Sequence, residues 1–389
     1  MNRRTFIVNT SLGSLHLGLL GLPVLAAPAG ERPPRLKIDV VAPEMPLSPL
    51  GMPGLFPGRV VQASHAGALS GGRVSQPAIR DMLDQGMKAL TGEKAANDAW
   101  ARFVEPGDVV ALKVNPSGTP TTTTSVPLIR EVIRSLNGVG VANRNIIVFD
   151  RNSYQMEVLG YHSLLPIGVR VLGIDGRLLA AGETGIGYDP GVFCEMNCFG
   201  ERETRSYLGT IVTREASKII NLPCLKEHNA SGVTGCLKNL AYGCFSNVAR
   251  THVNPKSHTD PAIAVLCTAS PLRSKSVLHI IDGIRAVYHS GPFAWNPDFV
   301  WEAKTLLVGT DPVAVDRIEL EIVEQKRREV GAPSLWDRDP QYIGTGAEME
   351  HTPSRNRFYR EPGHIRTAAE LGLGRWELAQ IDHRRLLVG

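Results

Sequence analysis

One stretch limits what this chain can become more than any other. Residues 218–245 read KIINLPCLKEHNASGVTGCLKNLAYGCF. Lys218 to Leu222 has the apolar character of a short buried strand, and Pro223 ends it, because proline donates nothing to a sheet ladder. A polar loop is expected next, with Lys226, Glu227, His228, Asn229 and Ser231 close together. Gly232 and Gly235 then punctuate the entry to a helix carrying Lys238 and Asn239. A strand that feeds a reactive loop and then a helix N-terminus is how α/β proteins place ligands. Backbone N–H groups there point outward and favour anions.

Other segments supply the sheet. Val109 to Val114 is almost wholly apolar, interrupted by Lys113 and followed by Asn115-Pro116. Such a run suits a parallel strand covered on both faces. Ser125 reads as an N-cap for a helix burying Val126, Ile129, Val132, Ile133 and Leu136, which Gly138 ends. Ile146 to Phe149 is the next strand, closed by Asp150, and the whole is a βαβ unit. Val60 to Ala63, Val169 to Ile174, Val277 to Ile281 and Lys304 to Val308 read as further strands. Gln76 to Leu90 is an amphipathic helix, and a helix with Pro312 in its first turn follows Thr310-Asp311. Residues 177–208 read as hairpins or an insertion, and 331–363 as a surface loop or lid. Ile365 to Leu371 and Trp376 to Ile381 read as closing helices. The expected fold class is therefore α/β: a mostly parallel sheet covered by helices on both faces, with irregular insertions.

Several of these segments resemble the DUF362 family, a domain of unknown function. They are Leu222-Pro-Cys-Leu-Lys-Glu-His-Asn-Ala-Ser-Gly-Val-Thr-Gly-Cys-Leu-Lys-Asn239, Val109 to Asn115, Ile281-Asp-Gly-Ile284, Val308 to Asp316 and Ala369 to Gly374. They occur in the family's order. The resemblance places a site without naming a reaction, since the family is defined without a function. Many members append a ferredoxin-like iron–sulfur module. This chain holds no C-x2-C-x2-C run, so that module is not expected here.

Hydrophobic content of 43%, charged content of 21% and a net charge of +4 describe an ordinary globular chain. They argue against a nucleic-acid protein, which concentrates basic residues on one face. The basic run Lys326-Arg-Arg328 reads as a solvated helix end. Arg3-Arg4-Thr5-Phe6-Ile7, the apolar run Leu12 to Leu25 and the small residues Ala26-Ala27-Pro28-Ala29 form a twin-arginine export signal in pattern. The expected organisation is a signal over 1–29, a proline-rich arm over 30–58 and one α/β domain over 59–389. The mature chain is then periplasmic or otherwise exported by the twin-arginine machinery, with no stable membrane span after cleavage; the alternative is an uncleaved N-terminal membrane anchor. Six cysteines are too few for a disulfide scaffold. A Cys194–Cys198 bridge, a pair near the central stretch, and simple burial all fit the sequence.

If the strands are parallel, the polar residues that end them meet at one rim. Lys226, His228, Lys238 and Asn239 are the candidate catalytic groups. Lys113, Asn115, Gly232, Gly235, Asp282 and Asp311 are the candidates for holding a cofactor or ligand. Lys226 and His228 lie two apart, so an extended segment turns both to one side. A lysine beside a histidine can bind an anion while the imidazole moves a proton. Lys113, buried in an apolar strand, needs a partner, for which the strand-end aspartates serve. His228 and His258 are candidate metal ligands, with His252 nearby, although their spacing matches no zinc pattern. Asp311 and Asp316 read equally as helix caps and as ligand contacts. The expected function is an exported enzyme acting on a small anionic substrate, with a metal or redox cofactor left open. The alternative is a non-catalytic ligand- or metal-binding protein of the cell envelope.

Overall fold

The computed structural model describes residues 2–7, 37–175, 187–253, 255–293 and 295–389. Most of the expected export signal therefore lies outside the described residues. Asn2–Ile7 is a strand, paired antiparallel with Lys37–Ala42. Tyr188–Met196 and Arg205–Gly209 complete this small antiparallel sheet, so part of the expected insertion is a hairpin. Among the described residues no helix is long and apolar enough to cross a membrane.

The main sheet runs in the order Asp382–Leu387, Arg59–Ser64, Thr305–Gly309, Ser276–Val287, Lys218–Asn221, Val110–Lys113, Ile146–Asp150 and Arg170–Gly173. Every neighbouring pair is parallel except the two that involve Thr305–Gly309, which runs against the rest. Strand residues alternate between two apolar layers, as the pleat requires. Val110 and Leu112 pack with Ile79, Leu83, Trp100 and Val132 on one face. Ala111, Ile147 and Phe149 face Leu237, Ala241, Val315 and Ile365 on the other. Lys113 falls on the second face, beneath the helix Gly235–Cys244.

Local signals account for the helices around the site. Ser75 caps Gln76–Thr91, and Gly92 closes it at φ 85°. Asp311 caps Pro312–Glu329 by accepting from Ala314 N. Ser125 precedes Val126–Gly138, yet its hydroxyl makes no capping bond. Its own N–H donates to Asp282 instead.

Four expectations are corrected. The residues after Pro223 are not a solvent loop: Cys224–His228 is a fully buried strand, paired with Ser276–Val287 and with Gly232–Val233. Ser276–Val287 does not stop at Asp282 but runs through it, which gives that new strand its partner. Because Thr305–Gly309 is antiparallel, its end carries Asp311 to the opposite edge from Asn115 and Asp150. Finally, 376–381 does not form a regular helix. It makes one 3-10 turn, Leu378–Gln380, before a half-exposed edge strand whose polar sequence hides its pairing.

Gly243 lets the helix Gly235–Cys244 lie directly on the sheet. A Cβ there would overlap Lys113 Cε and Nζ and crowd Asp150. Alanine normally adds about 1 kcal/mol to a helix interior relative to glycine. Here the methyl must displace a buried ion pair, whose disruption costs about 3–5 kcal/mol. Gly243→Ala is therefore expected to lower the urea midpoint at unchanged slope. A raised midpoint would show that the helix does not sit on Lys113.

Candidate functional site

The site starts at the carboxyl ends of Val110–Lys113 and Ile146–Asp150. The Lys113 ammonium donates to Asp150 Oδ2 at 2.5 Å, to Val114 O at 2.7 Å and to Asn239 Oδ1 at 3.1 Å. All three donors are used, as a fully buried lysine demands. Asn239 is the hub. Its Oδ1 also accepts from Asn115 Nδ2 at 2.8 Å, and its Nδ2 donates to Asn221 Oδ1 at 2.8 Å. Asn115 Oδ1 in turn accepts from Lys226 Nζ at 2.6 Å, and Ser117 Oγ lies 3.3 Å from that ammonium. Four chain segments are thus joined by one buried polar network.

Lys226 and His228 share a face of their strand, as the two-residue spacing dictates. Burial lowers the pKa of the Lys226 ammonium. Burial likewise holds His228 well below the ordinary histidine value, with Lys238 exerting the largest of the charge effects. His228 Nδ1 accepts from Ala230 N at 3.1 Å and Ser231 N at 3.3 Å, which assigns the ring proton to Nε2. The His252 ring lies 5.5 Å from that of His228, and Tyr242 packs against His252. Burial and Lys238 drive His252 down to about 3.

Lys238 stands apart from the other two lysines. Its ammonium lies over the Tyr242 ring, 4.6 Å from the centroid, and has no hydrogen-bond acceptor among the described residues. It is also partly exposed, while Lys113 and Lys226 are wholly buried. Its enclosed setting, with Lys226, Arg151 and Lys113 nearby, lowers it to about 7.

Not every candidate joins this cluster. Asp282 sits at the same sheet edge, but its carboxylate accepts from Ser125 N at 2.9 Å and Ile284 N at 3.1 Å. Asp311 lies across the sheet, bonded to Gly58 N, Ala314 N and Arg375 N. Gly235, at φ 56°, is packed against Asp316, whose carboxylate accepts from Cys236 N at 2.5 Å and Leu237 N at 3.0 Å. The helix N-terminus is therefore filled by the protein's own carboxylate and is not open to a ligand anion. Gly232, at φ 81°, packs against Pro362. His258 packs at a tilt against Phe199, ring centroids 4.6 Å apart, and the histidine ring beside His228 is that of His252. Among the described residues no group of three or more His, Cys, Asp or Glu side chains could hold a metal ion. All six cysteines are free thiols.

Several residues at the site escape a reading of the sequence. Arg151 follows Asp150 and carries a charge felt by Lys238 and His252. His364 is buried, donates from Nδ1 to Glu361 O, and leaves Nε2 unpartnered among the described residues. Glu319 accepts from Lys226 N at 3.0 Å, and burial, with Asp316 beside it, raises its pKa well above the ordinary carboxyl value. On the outer face of the site strand, Glu227 pairs with Arg360 at 2.7 Å and accepts from Gly291 N. Position after a strand end is the one signal that could have marked Arg151; the others come from distant segments.

Fold and site together define an α/β protein with a lysine-rich, carboxylate-poor polar network at the carboxyl edge of its parallel strands. The model of DUF362, a domain of unknown function, matches residues 110–321, just over half of the chain. The protein belongs to that family. No curated protein matches it.

Removing one partner of the Lys113–Asp150 pair leaves a buried charge unmatched. Asp150→Ala is expected to cost about 3–5 kcal/mol, and Lys113→Met combined with Asp150→Ala distinctly less. Denaturant unfolding of the two single variants and the double variant measures this. Strictly additive losses would contradict a direct pair.

Proposed function

We propose that this is an exported enzyme whose site binds and turns over a small anionic substrate. One observation carries the reading: the cations at the site outnumber the carboxylates that answer them. Lys113 is matched by Asp150. Lys226 is held by the neutral oxygens of Asn115 and Ser117. The Lys238 ammonium and the Arg151 guanidinium make no hydrogen bond or ion pair to a described residue. Glu319, which accepts from Lys226 N, has its pKa pushed well above the ordinary carboxyl range by burial. Cations enclosed without counter-ions attract a ligand that supplies them. His228, neutral and with its tautomer fixed, adds a hydrogen-bond donor beside that ligand.

The twin-arginine pattern and the apolar run after it support export to the periplasm. Cleavage after the small residues near Ala29 would also remove the strand Asn2–Ile7 and leave Lys37–Ala42 as the edge of the small sheet. The remaining strand would still be paired with Tyr188–Met196.

Binding should depend on pH in a defined sense. The folded Lys238 lies near 7, against 10.5 ordinarily, chiefly through burial. Its positive charge is present below pH 7 and is lost as pH rises through that value. The other groups facing it are Lys113, Lys226, Arg151, His228, His252 and His364. Burial holds all three histidines uncharged over the same range, and the lowered Lys226 acts in the same sense as Lys238. Sulfate keeps a constant charge there. It is expected to raise the melting temperature saturably at pH 6 and several-fold more weakly at pH 8. Lys238→Arg should flatten that dependence. Equal sulfate effects at both pH values in the unmodified protein would show that Lys238 does not titrate at the site, and no saturable effect at either pH would refute the anion site.

A further inference from the structure

The three lysines at the sheet edge are not equivalent. Lys113 and Lys226 are wholly buried and locked in hydrogen bonds to Asp150, Asn239, Asn115 and Ser117. Lys238 has no such acceptor among the described residues and is partly open to solvent. Its ammonium lies over the face of Tyr242. Tyr242 is itself held by a hydroxyl bond to Thr251 at 2.6 Å, so the platform under the amine is fixed. Lys113, Lys226 and Arg151 surround it with like charge. An enclosed amine beside other cations spends much of its time neutral, and the neutral form is the nucleophile.

We propose that Lys238 is a covalent catalytic residue that forms an imine with the carbonyl carbon of a small substrate carrying an anionic group, a 2-oxo acid being the simplest case. This rests on the anion-site reading and divides the work within it. Arg151 holds the anionic group within the field of the buried Lys226, while the Lys238 lone pair adds to the carbonyl carbon. The carbonyl oxygen takes a proton from the amine, giving a carbinolamine. The C–O bond then breaks as the remaining N–H proton passes to the departing hydroxyl, one water leaves, and a C=N bond joins substrate to Nζ. No oxidant or reductant is consumed. His228 Nε2–H is the donor available to the oxygen as it becomes a hydroxyl and departs. The imine carries the electron-withdrawing character needed to cleave or deprotonate the adjacent carbon.

Two probes separate this proposal from the reading beneath it. Pyruvate has both carboxylate and carbonyl; lactate has the carboxylate alone. The full chain is incubated with each at pH 7, treated with sodium borohydride, digested and mapped by mass spectrometry. Melting temperatures are recorded in parallel without the reductant. The expected result is one reduced pyruvate adduct on Lys238, suppressed by excess lactate, with both compounds raising the melting temperature. Lys238→Arg keeps the charge and should retain the lactate shift while losing the adduct. Stabilisation by both compounds with Lys238 unlabelled, or labelled no more than exposed lysines, would overturn the imine and leave the anion site standing. Absence of stabilisation by either compound, with no adduct, would overturn both.

Discussion

A lysine ammonium buried at the carboxyl end of a central parallel strand obliges everything around it to be polar and fixed. Lys113 cannot reach water, so all three of its protons need acceptors from the protein. Asp150 comes from the adjacent strand, Val114 O from its own chain, and Asn239 from the helix above. That helix can approach closely enough because Gly243 presents no side chain to the pair. Asn239, once drawn in, also meets Asn115 and Asn221. The strand order, the helix position and the place of Lys226 are thereby coupled through one set of hydrogen bonds. A network of this kind rigidifies a site when every member is satisfied.

Most carboxylates near the sheet edge are committed to backbone N–H groups. Asp282, Asp311 and Asp316 each accept from two or three backbone N–H groups at the start of a helix, a strand or a turn. They spend their charge on the fold. Asp316 is buried beside Asp311 and Glu319, and burial first, with Asp311 adding to it, raises it to about 7. Its place at Gly235 withdraws the helix N-terminus from ligand binding. The positive field at the site therefore comes from side chains and not from the helix dipole.

The apolar β-strands and the amphipathic helices were legible because their signals are local. Val109 to Val114, Ile146 to Phe149 and Gln76 to Leu90 carry their own periodicity and caps. The need of Lys113 for an aspartate was legible too, since burial follows from its apolar neighbours. What a single sequence could not express was direction. Nothing in Thr305–Gly309 distinguishes a parallel from an antiparallel strand, and that choice alone removed Asp311 from the rim. The strand Cys224–His228 was hidden for a related reason. Its polar residues are solvated by distant partners, Glu319 at Lys226 N and Arg360 at Glu227, and no local pattern announces a partner a hundred residues away.

The alternation of that strand then explains how the site is enclosed. Lys226 and His228 turn toward Asn115, Lys238 and His252, while Glu227 turns the other way. There its carboxylate takes Arg360 and Gly291 N, and Arg360 also meets His289 Nδ1 at 3.2 Å. His289 donates from Nε2 to Met349 O, and Asn356 donates to Asn229 O, so the 331–363 segment is fastened across the turn after His228. Phe358 from the same segment packs edge-on against His252. One face of a five-residue strand thus carries Lys226 and His228, and the other carries the bonds that fasten the 331–363 segment. Since β-strand pleating fixes the two faces relative to one another, the bonds to Glu227 also help to set the orientation of Lys226 and His228.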